Sequence, residues 1–410
     1  MRKMLKMSIA AAMVMGIGSV SAQADGINIL SNVQAKGELR LRYENVDTDD
    51  GVNGNANAYT SRLTVGASAD LLDTDWLSAY VEMTNVANLN NNYNDLNSGN
   101  PNNKDIVVDP EQTRLTQSYI DAKYGDTNLR IGRQMINLDN QRFVGAVGWR
   151  QMFQTFDAIT LTNKSIENLN IFASYITRVN AVKYEAKRSS RDLLINVSYK
   201  VMPELKVTAY SYMLGTVHDT FGIALTGKVG VSDDVKLSYR AEYATQSDPS
   251  MENKGTDKDA VNADADYFRL ELGASVSDFS AGIGYEELSG ASGSDTTFTT
   301  PYATLHGQNG WADTFLGGGG NPPAGLEDLS FNVGYNAGEL GNLKVVYHDY
   351  SSEVGSTDFG TEINAVYKNK VPGVNGVTGM LKYADFDADS AGYVDNTKIW
   401  LMLGYKFASK

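Results

Sequence analysis

Among its 410 residues the sequence has no cysteine, three histidines and eight prolines. Without cysteine there is no disulfide framework, no thiolate metal site and no cysteine nucleophile. Bases are in the minority, 35 against 49 acids, for a net charge of −14. A nucleic-acid partner calls for a basic stripe, and the overall sign is the wrong one. Long apolar runs are scarce too. Only Ile9 to Val20 approaches one, and it falls short of the roughly 20 residues of a helical span. A polytopic helical membrane protein is excluded. So is disorder, because 42% of the residues are hydrophobic and 10% are aromatic.

The one apolar run has a basic start in Arg2, Lys3 and Lys6, and is followed by Ser21-Ala22-Gln23-Ala24. A basic, then apolar, then small-residue layout predicts a cleaved secretory signal peptide over 1–24. Its removal takes three bases away, leaving 32 against 49 acids and a net charge of −17. The chain is therefore expected to be exported, with 25–410 forming one domain.

What the sequence has in plenty is alternation. Val33, Ala35, Gly37, Leu39, Leu41 and Tyr43 are apolar or small, and Gln34, Lys36, Glu38, Arg40, Arg42 and Glu44 lie between them. A period of two places these sets on opposite faces of a strand. The pattern predicts 18 strands: 33–44, 59–70, 75–87, 113–124, 127–135, 153–163, 167–178, 191–202, 204–214, 219–230, 234–246, 265–276, 278–288, 327–337, 341–351, 359–371, 375–387 and 396–407. Short connections alternate with longer ones along the chain. A soluble sandwich has no reason to sort its loops by parity, and a β-helix would show a fixed repeat. An outer-membrane barrel has such a reason: short periplasmic turns and long external loops. The predicted fold class is all-β, a closed antiparallel transmembrane barrel of about 18 strands. Lipid offers the backbone no hydrogen-bond partners, so the sheet must close, with its polar face around a lumen. Tyrosines near strand ends, Tyr43, Tyr59, Tyr124, Tyr199, Tyr243, Tyr267, Tyr335 and Tyr405, are candidates for the membrane-interface girdle.

A lumen ringed by 18 strands is too wide for side chains to fill. Any constriction must come from loops, and the candidates are 136–152 and 289–326. The second is either folded into the lumen or an exposed lid. Arg40, Arg42, Arg62, Arg130, Arg178, Arg240 and Arg269 lie on the polar faces, with Glu242 and Glu271 among the acids beside them. Such a wall either selects anions or pairs each arginine with a neighbouring acid. Catalysis has little to work with. His218, His306 and His348 are the only imidazoles, and no G-x-S-x-G elbow is present. The acidic stretches 47–51 and 385–389 do not match a calcium loop. No metal, cofactor or catalytic residue is predicted.

Two stretches resemble a known family. One runs Gly132-Arg133-Gln134, then Arg142, Gly145, Trp149, Gln151 and Thr155-Phe156-Asp157-Ala158. The other is Thr300-Pro301-Tyr302-Ala303-Thr304-Leu305-His306-Gly307, followed by Asn309-Gly310-Trp311-Ala312-Asp313. Both resemble the alginate-export-type family of outer-membrane porins. The resemblance implies an 18-stranded barrel in which arginine-rich constrictions pass an anionic polysaccharide. It points to Arg133, Arg142 and Arg150 as the basic positions and to Trp149 and Trp311 as the aromatic ones, with His306 and Asp313 in the same constriction segment.

The expected function is passive diffusion of small hydrophilic solutes through the outer membrane of a Gram-negative bacterium, with a preference for anions. Two other readings stay open: a channel specific for an anionic sugar or polysaccharide, and a surface structural or adhesion barrel that does not conduct. The expected partners are outer-membrane lipid, lipopolysaccharide and the solutes, with no nucleic acid, in a monomer or a trimer. Most of the acidity, 20 acids against 8 bases, falls in the predicted long loops, so an acidic rim surrounds a nearly balanced wall.

Overall fold

The computed structural model describes residues 23–24, 27–97, 101–183, 187–215, 217–251, 263–291 and 296–409. Residues 1–22 of the predicted signal peptide lie outside these, as do 252–262 of the long connection after Ser247. Eighteen antiparallel strands form one closed barrel. They are β1 (Leu30–Thr48), β2 (Ala56–Leu71), β3 (Leu77–Asn88), β4 (Gln112–Tyr124), β5 (Thr127–Gln134), β6 (Thr155–Asn163), β7 (Leu169–Asn180), β8 (Lys187–Met202) and β9 (Leu205–Leu214). The circuit continues with β10 (His218–Gly230), β11 (Val235–Ser247), β12 (Ala265–Val276), β13 (Phe279–Leu288), β14 (Leu326–Asn336), β15 (Asn342–Ser351), β16 (Asp358–Lys370), β17 (Val377–Ala388) and β18 (Asn396–Ala408). Each predicted strand is present, with ends shifted by at most four residues. The seam joins β18 to β1, in register from Asn396↔Thr48 to Ala408↔Lys36. Closure leaves no free sheet edge, as a lipid environment demands.

The alternation sorts the faces as the sequence predicts. Leu39 and Leu41 are 37% and 42% exposed, while Arg42 between Leu41 and Tyr43 is 3% exposed. Ile131, Ile159, Leu272, Val333, Leu381 and Leu401 are likewise exposed on the outer face. So broad an apolar exterior around the barrel is stable only against hydrocarbon. Among the girdle candidates, Tyr59, Tyr124, Tyr199, Tyr243, Tyr335 and Tyr405 are exposed. Tyr267 is a correction: it is 1% exposed and stacks on Phe298 inside the barrel. It shares the parity of Arg269 and Glu271, which fixes it on the inner face.

The β3–β4 connection turns Tyr93, Val107 and Asp109 inward, against Val46, Ala56, Ala58 and Arg42. Among the described residues two further connections bend inward, 135–154 between β5 and β6 and 289–291 with 296–325 between β13 and β14. They meet in a parallel bridge of Val144 with Tyr302. Their apolar residues Ile136, Leu138, Val144, Phe298, Tyr302 and Phe315 join one buried cluster with inward-facing Phe156, Tyr210, Tyr350, Phe386 and Trp400. The wide lumen is thus filled in part by loop residues rather than by wall side chains.

Candidate functional site

The two inward loops hold each other before they hold the wall. Gly145 N–H donates to the Tyr302 carbonyl at 2.8 Å, and Thr304 N–H donates to the Gln141 carbonyl at 3.0 Å. Gln154 donates to the carbonyls of Gly145 and Tyr302 at 2.9 and 3.2 Å. These bonds satisfy backbone groups that would otherwise be buried without partners.

The wall then grips the pair through charges. Arg150 bridges Glu44 on β1 and Asp313 of the other loop, at 3.0 Å each. Lys398 on β18 reaches Asp313 at 3.3 Å. Arg142 pairs with Glu286 on β13 at 2.9 Å. Glu362 on β16 accepts the backbone N–H groups of Trp311 and Ala312. Arg40 and Arg42 donate to the Trp149 carbonyl, and Arg62 donates to the Arg150 carbonyl at 3.3 Å.

At the centre, His306 Nδ1 lies 2.7 Å from Asp313 and its Nε2 lies 2.6 Å from Lys382 Nζ. An ionised carboxylate only accepts, so Nδ1 carries the proton towards Asp313 and Nε2 is left to accept from Lys382. Burial pushes the His306 pKa well below its ordinary value, with Asp313 pulling the other way and Lys382 adding to the depression. Asp313 is held below the usual carboxylate range: burial opposes ionisation, and His306, Lys398 and Arg150 outweigh it. The Trp149 ring stacks on His306 at 4.3 Å and 8°. Lys382 Nζ sits 4.2 Å from the Trp149 ring centre, 3.9 Å from that of Trp311 and 5.3 Å from that of Trp400. The three indole faces and the His306 contact hold Lys382 Nζ in place.

Open space remains beside this plug. A cavity of about 390 Å³ is lined by Trp149, His306, Trp311, Lys368 and Lys382. It adjoins a larger one of about 1130 Å³, with Arg40, Lys368, Lys370 and Lys406 against Glu38 and Glu339. A small space of about 120 Å³ carries Arg269, Glu271, Lys344 and His348.

The arginines predicted to select solutes are mostly fasteners. Arg42 is enclosed by Asp109 at 3.1 Å and Glu44 at 3.6 Å, and Arg62 by Glu38 at 2.7 Å. Arg142 and Arg150 are buried between loop and wall. Arg130 faces the lumen but is bound in a fork to Asp121, at 2.7 Å to each oxygen. Arg240 pairs with Glu242, and Arg269 with Glu271, both at 2.6 Å. Arg133 departs from the expectation. It follows the parity of exposed Ile131, not of buried Gln134, and pairs with Asp157 at 2.7 Å on the outer face. Arg178 joins the same carboxylate at 4.0 Å. Motif reading placed Arg133 beside a constriction, and strand register turns it outward. The residues missed are lysines: Lys368, Lys370, Lys382 and Lys406 supply the cationic lining. Their signal is in the sequence, since each stands on the polar parity of its strand, as Lys382 does between Leu381 and Tyr383.

A protein-family model described as alginate export matches residues 32–308. No curated protein sequence matches the chain. Solved structures share the fold at low identity. OpdK of Pseudomonas aeruginosa is 14% identical with a TM-score of 0.71, covering 93% of this chain and 100% of its own. A structure of OpdK with vanillate is 15% identical with a TM-score of 0.72, covering 93% and 100%. OccAB4 of Acinetobacter baumannii is 15% identical with a TM-score of 0.70, covering 93% and 99%.

Proposed function

The chain belongs to the alginate export family, and we propose that it is an outer-membrane porin through which small hydrophilic solutes diffuse passively, anions in preference. The barrel's apolar exterior supports a place in the outer membrane of a Gram-negative bacterium, against lipid and lipopolysaccharide. One observation carries the preference: the space beside the plug is lined by Arg40, Lys368, Lys370, Lys382 and Lys406, with only Glu38 and Glu339 opposed. Fixed cations around a narrow aqueous path raise the local concentration of anions. Turnover and cofactors have no part in this reading.

The same cavity favours a second reading, a channel specific for one class of acid. Trp149 and Trp311 beside Lys368 and Lys382 suit a single sugar or aromatic ring that carries a carboxylate. OpdK, similar in fold, is known with vanillate bound. At about 390 Å³ the space suits one ring, so uptake or release of an acidic sugar unit fits it better than a bulky polymer segment.

Planar-bilayer recording in a tenfold KCl gradient tests both. A reversal potential towards chloride supports the pore and its preference, and a cation-selective potential overturns the preference. Block of chloride current by glucuronate or benzoate, absent with the uncharged analogues, supports the specific channel. A folded protein that opens no pores favours the non-conducting adhesion barrel instead.

A further inference from the structure

Four lysines on four consecutive strands face the lumen near the short-turn end: Lys200 on β8, Lys206 on β9, Lys228 on β10 and Lys236 on β11. With Arg240 they line a cavity of about 860 Å³. None of these residues lines the cavities beside Trp149, which are walled by β15 to β18 and β1.

Strand register makes the crowding explicit. Lys200 and Lys206 stand directly opposite each other across β8 and β9. Like charges in that position destabilise a sheet. Lys228 pairs with Ser238, and Lys236 with Gly230, so these two lysines are diagonal neighbours. Acids do little to relieve the cluster. Asp139 comes no nearer than 4.0 Å to Lys206. Glu271 lines the same cavity but is committed to Arg269, and Glu242 to Arg240, at 2.6 Å each. Nor are these lysines anchors for lipid headgroups, because the lipid side is occupied by Tyr199 and Val201 on β8, by Leu225 and Val229 on β10 and by Leu237 on β11. Four exposed ammonium groups extend into lumen water, beside Gly273 and the small side chains of Ser238, Ser275 and Ser280.

We propose that this vestibule wall is a binding site for a soluble polyanion, a solute with two or more phosphate or carboxylate groups, reached from the turn side. Directly opposed ammonium groups lie on strands about 5 Å apart, a spacing that adjacent anionic groups of one solute can bridge. A monovalent anion leaves most of the repulsion in place. Lysine, a strongly hydrated point charge, contacts such groups without needing the fork geometry of arginine. The inference deepens the pore reading and rests on it only for the solute's route.

Titration calorimetry on the purified, folded protein at low salt tests the site, with inorganic pyrophosphate, citrate and acetate as probes. Pyrophosphate and citrate are expected to bind at least tenfold more tightly than acetate. The triple variant Lys200→Ser, Lys228→Ser, Lys236→Ser is expected to weaken pyrophosphate at least tenfold, and the matching triple arginine variant to keep it. The heat-dependent shift in gel mobility establishes that each variant barrel is folded. No binding of pyrophosphate, equal binding of acetate, or undiminished binding in the serine variant overturns the proposal. In bilayers, pyrophosphate added on the turn side is expected to reduce chloride current in the native chain more than in the serine variant. Equal block of the two overturns it. If the protein conducts nothing, the pore reading falls and calorimetry still decides the site.

Discussion

Arg150 and Asp313 lie 3.0 Å apart across 163 positions of sequence, one in each inward loop. Glu44 sits on the other side of Arg150 at 3.0 Å, so the contact ties both loops to β1. The constriction therefore behaves as one body. Asp313→Asn leaves Arg150, Lys398 and His306 facing an amide. Breaking a buried charge pair from one side costs about 3–5 kcal/mol. The variant is expected to keep its barrel and lose the fixed plug, seen as larger and noisier single-channel currents. Native-like current traces would contradict the linkage.

Gly310 has φ +78°, and a Cβ there would collide with the Glu362 carboxylate and the Tyr350 hydroxyl. The close approach lets Glu362 accept from Trp311 and Ala312. Gly310→Ala adds backbone strain of about 1–2 kcal/mol as well as the collision. Protease cleavage within 289–325 is expected to accelerate at least fivefold, with no change in the barrel's gel mobility.

Trp149 carries His306 on its ring and lies under Arg42 and Lys382, at 4.4 and 4.2 Å from the ring centre. Trp149→Ala is expected to join the adjoining cavities of about 390 and 1130 Å³ and to raise single-channel conductance. Chloride preference should persist, because Lys368, Lys370 and Lys406 stay in place. An unchanged conductance would place the narrowest point elsewhere.

Plug anchoring also depends on pH. The pKa of His306 is lower in the fold than in the unfolded chain. Such a group stabilises the fold fully above its unfolded value, about 6.5, and the contribution fades as pH falls towards the folded value, by about 1.4 kcal/mol per unit. Asp313 is depressed as well, so its contribution is complete above about 3.9 and fades only below that. Channel flicker is expected to rise between pH 6.5 and pH 5 through His306, and again below about pH 4 through Asp313. His306→Gln should flatten the first step and leave the second. A first step of equal size in that variant would assign it to another group.

Much of the fold is legible in the sequence because a strand writes its faces locally. The predicted 265–276 coincides with β12, and the 204–214 and 396–407 segments differ from β9 and β18 by one residue. The constriction is only half legible. Length and composition single out 136–152 and 289–326, yet the meeting of Val144 with Tyr302 is a long-range contact that no local pattern encodes. Arginines on polar strand faces point to anion selection because guanidinium groups suit anions. The same fork geometry makes them good partners for Asp109 of the β3–β4 connection and for Asp121 and Glu38 of the wall, and there they are used up. Arg133 went astray for want of register: one position decides lumen or lipid. The lysines stand at the polar parity of β16, β17 and β18, without a motif to mark them.

The reversal potential across a tenfold KCl gradient tests the central claim most directly. It is to be measured for the native chain, for the triple variant Lys368→Ser, Lys370→Ser, Lys406→Ser, and for Arg133→Ala. Chloride preference in the native chain, reduced at least severalfold in the lysine variant and unchanged in Arg133→Ala, is the predicted result. Cation preference in the native chain, or a loss of selectivity with Arg133 and not with the lysines, would contradict it.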